Sequence, residues 1–444
     1  MRLGTLAVAV ALLAAGGNGA ARAADVPTDR PLTVEECVSI ALERSPALGV
    51  AQAQVQSSEG ARLSRWSGVL PSVSAGTSAG KIHANNQRSI REYVGTPVEV
   101  RSPAYDLDSY SYDLTASMSV LDWSNWRSLQ ASGTDIASAR AGEEASREGI
   151  AYNVRRQYYE CLRAIKLAGV ARDAEDLARR QLERTQALFD LGSVTRGDVL
   201  SARVDVAQNE LTKISAEISV QVQRARLARE MGLSVDMPLQ IVEELGGPTR
   251  TVALEAGSAA LANRGDVRQS RYQLESARTN LSAARGGYYP SVGLQWSYQW
   301  GDSERPDLFD SFDYNTRWSV FLSLDVPIFD GLNTRGSVTQ AKASVISRER
   351  SRRDVELQAA LEIEEARLAI DQAEKQVGSA TEGVALAEEN HRLRQQMYEV
   401  GAATLLEVQT AQVDLTRSRV SHIEALAGLR QAEALFARVT GRAE

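Results

Sequence analysis

The second half of this chain repeats the first half. Residues 189–232 align with residues 398–441 without a gap, at a constant offset of 209, and twelve of the 44 aligned positions are identical. Two shorter matches join residues 70–73 to 289–292, at an offset of 219, and residues 120–122 to 328–330, at an offset of 208. The first half therefore holds 11 extra residues between these two matches, where we expect a longer loop.

The first 23 residues have the composition of an export signal. Arg2 precedes an apolar run, residues 3–15, and a small-residue Ala-Arg-Ala site ends at residue 23. This order predicts a secretory signal peptide over residues 1–23 and a mature chain that begins at Ala24. No Cys follows that site, so we expect no lipid anchor of the bacterial lipoprotein kind.

The composition of the mature chain excludes several classes of protein. Removal of Arg2 and Arg22 changes the formal charge from −7 to about −9, which argues against a nucleic acid partner. No uninterrupted apolar stretch of roughly 18 residues follows the signal, so no transmembrane helix is predicted. Cys37 and Cys161 are too few for a disulfide framework; we expect buried free thiols, with a bridge between them as the alternative.

Four segments alternate between apolar and polar residues with the period of a β-strand. They cover residues 72–80, 110–121, 291–300 and 318–327, and the second half of the chain shows the sharper alternation. Strands of nine to twelve residues are long enough to cross a bilayer when tilted, and their apolar faces carry an aromatic girdle. A soluble sheet of a β-sandwich is the alternative. The polar residues 81–108 between the first two strands predict a loop.

The rest of the chain has the pattern of unusually long helices. Thr33 and Glu36 form a capping box that opens a helix, and Ser45-Pro46 interrupts it. Residues 333–398 contain no Pro, which predicts a helix of about 65 residues and about 100 Å. A stripe with three-and-four spacing predicts a coiled-coil seam. Its members are Leu200, Val204, Ala207, Leu211, Ile214, Ile218, Val222 and Ala225.

Each half also contains a tight helical hairpin. The turns are residues 191–195 (Leu-Gly-Ser-Val-Thr) and 400–404 (Val-Gly-Ala-Ala-Thr), in which the Gly suits the left-handed position that ends a helix. Thr195 and Thr404 then begin Thr-x-x-Asp/Glu capping boxes that Asp198 and Glu407 complete.

Four amphipathic strands per chain pose a physical problem in a membrane. An open sheet leaves unpaired backbone groups that lipid cannot satisfy, so several chains must close one barrel together. Two chains would give 8 strands and three would give 12, and the larger barrel leaves room for a passage lined by the polar faces of the strands.

The order of these features resembles the TolC-like outer membrane factors. The resemblance rests on the signal, the duplicated helix-strand-strand-helix halves, Leu-Pro-Ser-Val, the Val-Pro-Ile-Phe-Asp-Gly of residues 326–331 and the two Gly-x-x-Thr hairpins. It implies a mostly α fold with long coiled-coil hairpins and four transmembrane β-strands per protomer, assembled as a homotrimer with a 12-stranded barrel and a helical tunnel. The repeats would span residues 24–236 and 262–441, joined by a linker of unknown role over residues 237–261.

The resemblance also implies a function and a location. Such proteins lie in the outer membrane of Gram-negative bacteria, extend into the periplasm and pass substrates from an inner-membrane transporter and a periplasmic adaptor to the exterior. Drugs, proteins and metals all remain open as cargo. The hairpin turns form the periplasmic tip, where the adaptor docks. The docking residues implied by position are Leu191, Gly192, Ser193, Val194, Thr195, Val400, Gly401, Ala402, Ala403 and Thr404.

The same tip implies candidates for a gate. Tyr398 and Glu407 match family positions that close the tunnel, and Asp198 is the duplicate of Glu407. Three copies of Glu407 around an axis would form a cation-favouring ring, although capping a helix is an equally simple role for both carboxylates. The chain departs from the family pattern at Ala403 and Thr410, where an Arg and an acid would form a latch. Arg196 is a candidate substitute.

Two other functions are suggested by parts of the sequence. Residues 76–80 spell the Gly-x-Ser-x-Gly of hydrolases around Ser78, near His83, but an enzyme of that class needs a strand, a turn and a helix at that point. The sequence predicts no enzyme, cofactor or metal site, and no phosphate-binding loop to supply energy. A periplasmic adaptor or a structural coiled coil is the remaining alternative, but an adaptor is expected to have a single hairpin.

Overall fold

The computed structural model describes residues 30–93, 95–242, 245, 258–303 and 315–441. The predicted signal peptide and most of the predicted linker lie outside these residues. The helices of the first half are α1 (Val34–Arg44), α2 (Pro46–Trp66), α3 (Trp123–Asp190) and α4 (Arg196–Glu230). Those of the second half are α5 (Ser258–Asn263), α6 (Gly265–Arg285), α7 (Asn333–Glu399) and α8 (Leu405–Val439).

The strands form one sheet of four and one separate hairpin. They are β1 (Ser72–Ala84), β2 (Gln87–Tyr93), β3 (Thr96–Ser102), β4 (Tyr105–Leu121), β5 (Ser291–Asp302) and β6 (Thr316–Asp325). The larger sheet has the order β1-β4-β5-β6 with antiparallel neighbours throughout, and β2 pairs with β3.

The prediction of a loop over residues 81–108 was wrong. β1 and β4 continue in register past the predicted boundaries to the pair Ala84 and Tyr105, and β2 and β3 occupy most of the remainder. Polar composition indicates exposure to water, but two paired strands with both faces exposed have the same composition as a loop. The other three predicted strands coincide with observed strands to within five residues at either end.

The duplication is visible in the lengths of the elements. The helices α4 and α8 both have 35 residues and α2 and α6 both have 21, each pair at the offset found in the sequence. The long helices α3 and α7 have 68 and 67 residues and so reach about 100 Å. The Pro of Ser45-Pro46 separates α1 from α2, as predicted, because Pro is tolerated at the first position of a helix and not inside it.

The helices pack side by side in a layer with α3 near its centre. Towards the tips the order is α4-α3-α8-α7, and towards the sheet it is α2-α3-α6-α7, as the contacts between neighbouring helices show. In the described part of the chain, α7 therefore forms one border of the layer, and α4 and α2 form the other. The sheet has the corresponding borders β6 and β1.

The apolar stripe on α4 does not face its own chain. The contact with α3 uses neighbouring positions, including the buried Val199, Ala202, Val220 and Leu227. The large members of the predicted seam are exposed instead: Leu200, Val204, Leu211, Ile214, Ile218 and Val222. The predicted coiled-coil seam is therefore not packed against α3, and within the described chain its large side chains remain exposed.

A core at mid-height ties the N-terminal segment to the start of the predicted linker. Leu32 forms a parallel bridge with Ile241, and the Tyr158 hydroxyl donates to the carbonyl oxygens of Leu32 (3.2 Å) and Val242 (3.1 Å). Cys37 and Cys161 are buried in this core as free thiols. Burial raises the pKa of Cys37 to about 12 and that of Cys161 to about 11.

None of the described helices combines the length and the apolar character that a membrane crossing requires.

Candidate gate and docking surface at the hairpin tips

The two tips have almost identical backbone geometry. Gly192 and Gly401 have φ of +75° and +76°, in the left-handed region that a side chain disfavours. Each turn is closed by the same two backbone hydrogen bonds to carbonyl oxygens at the end of the preceding helix. The first is donated by the N–H of the Gly and the second by the N–H of the residue that follows it. The second of these joins Ser193 N to Leu188 O (2.9 Å) in one tip and Ala402 N to Met397 O (2.8 Å) in the other.

Both predicted capping boxes are present. The Asp198 N–H donates to Thr195 Oγ1 (3.2 Å), and the Thr195 N–H donates to the Asp198 carboxylate (2.8 Å). The Glu407 N–H likewise donates to Thr404 Oγ1 (3.4 Å), and the Thr404 N–H donates to the Glu407 carboxylate (2.8 Å). These bonds satisfy backbone N–H groups that have no partner inside the helix.

Glu407 has a second partner in addition to its cap. Arg394 Nη1 lies 3.4 Å from Glu407 Oε1, across the hairpin of α7 and α8. The hydrogen bond from the Thr404 backbone, with smaller help from the Thr404 hydroxyl and Arg394, lowers the pKa of Glu407. Glu407 therefore carries a stable negative charge at the tip, partly balanced by Arg394.

Tyr398 lies in a small apolar cluster at the second tip. The cluster contains Tyr398, Leu405 and Val408, with Leu188 of α3 packed against it. The Tyr398 hydroxyl is buried and has no hydrogen-bond partner among the described residues. A buried donor without a partner is costly, so removal of this hydroxyl is expected to be neutral or stabilising.

The structure does not bring Arg196 into a latch. Arg196 is exposed at the start of α4 and makes no ion pair within the described residues. Instead, Arg184 Nη1 lies 3.0 Å from Glu399 Oε1 and joins α3 to the end of α7, although the direction of approach gives no hydrogen bond. The sequence offered no signal for this pair, because 215 positions separate its members and both belong to polar helix faces.

The outer surface of the tips is apolar as well as exposed. Leu191 is 79% exposed and Val400 is 78% exposed, at equivalent places in the two turns, and Leu406 follows in α8 at 71%. Four further predicted docking residues lie beside them and are also exposed: Gly192, Ser193, Gly401 and Ala402. Exposed apolar side chains clustered at a loop tip are typical of a protein interaction surface.

The four-stranded sheet has one apolar and one polar face across most of its width. The register places Ala116, Trp296 and Val320 in one row of the apolar face, and Tyr298 and Trp318 in the next. The opposite face carries Ser, Thr, Gln, Asp113 and Arg317, with Phe321 as an apolar exception. An exposed apolar face with aromatic residues suits lipid, and the polar face suits water.

The hydrolase-like motif does not form a nucleophile elbow. Ser78 lies within β1, and its hydroxyl is 2.7 Å from that of Ser111 on β4. His83 contacts Asp106 and points to the opposite face of the strand, because five positions separate it from Ser78. Across the residues that the structure describes, no group of three or more His, Cys, Asp or Glu side chains is arranged to hold a metal.

A model of the family described as "Outer membrane efflux protein" matches residues 37–233 and 256–442, which correspond to the two repeats. The chain belongs to this family. The match confirms the resemblance to the TolC-like factors and the location in the outer membrane. Passive channels, rather than enzymes, are characteristic of this family and fold.

Curated relatives share about a quarter of their residues with this chain. The pyoverdine export outer membrane protein OpmQ of Pseudomonas aeruginosa is 25% identical, over 88% of this chain and 83% of OpmQ. Nodulation protein T of Rhizobium leguminosarum bv. trifolii is 27% identical over 55% of this chain. The outer membrane protein TolC of Vibrio cholerae is 24% identical over 54%. The chain spans only 52% and 56% of the lengths of these last two relatives.

Solved structures confirm the fold over nearly the whole chain. CusC matches with a TM-score of 0.81 at 17% identity, covering 92% of both chains. The outer membrane protein VceC of Vibrio cholerae matches with a TM-score of 0.77 at 22% identity, covering 92% of this chain and 96% of VceC. The mostly helical fold with a small sheet is therefore that of the outer membrane channels.

Proposed function

We propose that this protein is the outer membrane exit duct of a tripartite efflux or type I secretion system. Three copies form a 12-stranded barrel and a helical tunnel, and they conduct substrates passively from a periplasmic adaptor and an inner-membrane transporter. The proposal rests on one observation, that the described part of a single chain leaves both edges unpaired in its sheet and in its helical layer. The edges of the sheet are β1 and β6, and those of the helical layer are α7 on one side and α4 with α2 on the other.

The borders of the sheet are suited to pairing with another copy. Because the four strands alternate in direction, β6 of one chain runs opposite to β1 of the next, so the joint is antiparallel like every other joint in the sheet. Such a head-to-tail contact closes into a ring when the rotation between copies permits it. Two copies leave no passage, whereas three give 12 strands and a water-filled lumen.

The borders of the helical layer support the same closure. The exposed stripe on α4, represented by Ile214 and Ile218, has a counterpart on α7, which exposes Leu357, Leu361 and Leu368 at four- and seven-residue spacing. Burial of apolar side chains of this size gains about 1.5 to 3 kcal/mol each. A joint between α4 of one copy and α7 of the next would cover both stripes.

The ring proposal predicts a sharp effect of charge on the stripe. Ile218→Asp should prevent assembly, because the carboxylate would be buried without a partner between α4 and the next copy. Thr212→Asp, on an exposed side of α4 between the stripe and the contact with α3, is the matched control and should assemble normally. Heat-modifiable oligomers in the outer membrane fraction are the measurement. Normal assembly of Ile218→Asp would contradict the joint.

The tips are proposed to dock the adaptor and to gate the tunnel. Leu191 and Val400 supply exposed apolar contacts, and the contacts of Tyr398 and of the pair Arg184 and Glu399 hold the second hairpin against α3. Separation of these contacts would allow the hairpins to move apart. Leu191→Asp should therefore abolish capture of the cognate adaptor, while Ile90→Asp, equally exposed in the β2–β3 hairpin, should not. Equal capture by both variants would remove the tip from the docking surface.

Glu407 is proposed to contribute to cation preference. Three of these carboxylates around the axis would favour cations, although each is partly balanced by Arg394. Glu407→Gln should lower the cation preference of the reconstituted pore, and unchanged ion selectivity would leave Glu407 with its capping role alone.

The remaining features of the proposal concern lipid, energy and cargo. The apolar face of the sheet contacts outer membrane lipid, and energy comes from the transporter, since we assign no catalytic or cofactor site to this chain. Relatives carry names that refer to pyoverdine, solvent and toluene, so one duct architecture serves unlike cargo. The transporter is therefore expected to set the cargo. A soluble periplasmic monomer found on fractionation would favour an adaptor or structural coiled coil instead.

A further inference from the structure

The polarity of the β1–β4 hairpin reverses beyond the aromatic rows. Up to the pair Ala79 and Tyr110, the lipid-facing side carries apolar residues and the lumenal side carries small polar ones. In the next four rows the lipid-facing side carries charged residues, and the lumenal side carries larger apolar ones. The charged residues are Lys81, His83, Asp106 and Asp108, and the apolar ones are Ile82, Ala84, Tyr105 and Leu107.

The charged side is held together by its own contacts. His83 Nδ1 lies 2.6 Å from Asp106 Oδ1, and Lys81 Nζ lies 3.9 Å from Asp106 Oδ2. His83 Nε2 is also 3.1 Å from the side-chain oxygen of Asn85. Above the level of lipid this side therefore faces water or headgroups, as charged side chains require.

The apolar side is left exposed by the part of the chain that the structure describes. Ile82 is 52% exposed, Tyr105 is 53% exposed and Leu107 is 41% exposed, and all three share one face of the paired strands. A pair of strands with apolar residues on one face and charged residues on the other normally packs its apolar face away from water. Among the described elements, none packs extensively against the β2–β3 hairpin beyond it, and an isolated two-stranded ribbon is marginally stable in water.

We propose that the apolar sides of three β1–β4 extensions pack against one another over the external mouth of the channel. The partner is thus a second and third copy of this chain, and Ile82, Tyr105 and Leu107 form an outer constriction. The inference rests on the proposed function, because the trimer defines which side of the sheet is the lumen. It is continuous with the proposed joint between copies, since β1 is itself a border strand.

The dimensions permit this contact. A barrel of 12 strands spaced about 4.8 Å apart and tilted by about 45° has a radius of about 13 Å. Four residues of extended chain beyond Gly80 cover about 13 Å, and the seven-residue strands β2 and β3 extend the reach further. An inward lean of the hairpins therefore brings the three extensions together near the axis.

Disulfide formation between copies tests the inference in the full-length protein in the outer membrane. Leu107→Cys should give disulfide-linked dimers on oxidation, while Asp108→Cys, the adjacent residue on the charged side, should give none. Ile82→Cys and Lys81→Cys form a second matched pair if the first fails to fold. The two native thiols are fully buried, so the unaltered protein serves as the blank.

The assembly state is measured on the same samples. The outer constriction would be overturned if trimers form without a cross-link in Leu107→Cys and Ile82→Cys. It would also be overturned if Cys residues on the apolar and charged sides cross-link equally. Either result would leave the proposed function as an exit duct unaffected. A folded protein that forms no trimer would overturn the proposed function itself. Single-channel conductance gives a second readout, and Ile82→Ser combined with Leu107→Ser should raise it. Unchanged conductance would contradict a constriction at these residues.

Discussion

Tyr398 at the end of α7 is 8% exposed, whereas Phe189, at the equivalent place at the end of α3, is 38% exposed. The same contrast holds just after each hairpin turn, at the first residue of the next helix, where Leu405 is buried and its equivalent Arg196 is exposed. The two turns share their glycine, their capping box and their hydrogen bonds. Duplication thus preserved the backbone of the tips while the side chains acquired different surroundings.

The contrast separates two roles within one tip. The second hairpin packs its end against Leu188 of α3, and Glu399 reaches Arg184 of the same helix. The first hairpin has no equivalent contact, because the residues equivalent to Arg184 and Glu399 are Leu393 and Asp190. We therefore expect the second hairpin to carry the moving element of the gate and the first to carry the fixed wall.

The largest expected effect comes from truncating the buried aromatic residue. Tyr398→Ala removes most of a buried side chain and should destabilise the second tip by about 3 kcal/mol, while Phe189→Ala should cost much less. Amide hydrogen exchange of residues 395–408 in the solubilised protein measures the loss of protection.

Tyr398→Phe is the matched control for this change, because Phe is the residue at the equivalent position 189 of the first tip. The substitution removes only the hydroxyl, which has no hydrogen-bond partner among the described residues. It should leave the exchange rates unchanged or slower. Faster exchange would show that the assembled protein supplies a hydrogen bond to that hydroxyl.

The turn glycines should respond alike in the two hairpins. Gly401→Ala and Gly192→Ala each force a side chain into the left-handed region and should cost about 1 to 2 kcal/mol. Nothing lies within 4 Å of either added Cβ, so the cost is one of conformation rather than of contact. Exchange at the amides of each turn provides the comparison, and a cost confined to one hairpin would contradict their equivalence.

The capping threonines should give a smaller and equally symmetric effect. Thr404→Ala and Thr195→Ala each remove the acceptor for one helix N–H and should cost about 1 kcal/mol. Thr→Ser substitutions at the same positions keep the acceptor and should restore the protection of the first turns of α8 and α4. Failure of Ser to restore it would show that the methyl group, rather than the cap, matters.

The ion pair between the hairpins should affect opening more than stability. Both side chains are more than a third exposed, so Arg184→Ala should cost less than about 1 kcal/mol. It should nevertheless raise the conductance of the reconstituted channel, because one link between α7 and α3 is lost. Leu393→Ala, at the duplicate position, is the control. A conductance equal to that of the unaltered channel would exclude the pair from the gate.

The smallest effect is a dependence on pH at the second tip. The pKa of Glu407 is lowered from its usual value of 4.5, mainly by the Thr404 backbone N–H. Its stabilising contribution is therefore complete above pH 4.5 and is lost as the pH falls through the lowered value. Exchange at the start of α8 should rise in that acidic range, and Glu407→Gln should remove this dependence. A rise at neutral pH would point to another group.

The parts of the fold that depend on local chemistry were predictable. Gly192 and Gly401, together with the Thr-x-x-Asp/Glu boxes, specify the turns, because few other residues satisfy a left-handed backbone followed by a helix start. The alternation in β5 and β6 similarly predicted both strands. These signals act over fewer than ten residues and do not depend on the rest of the molecule.

The parts that depend on distant contacts were not predictable. The contact of Arg184 with Glu399 joins the two halves of the sequence across 215 positions, and the sequence reveals neither member. The stripe on α4 was recognised, but its period does not say which helix covers it. The polar residues 81–108 predict a loop, because paired strands with water on both sides leave no apolar run in the sequence.

The closure of open borders between copies is most directly tested by the native mass of the detergent-solubilised protein. The account predicts a single species with three copies of the chain, which dissociates when Ile218→Asp places a charge on the α4 stripe. A folded monomer that is stable in buffer without detergent would contradict it.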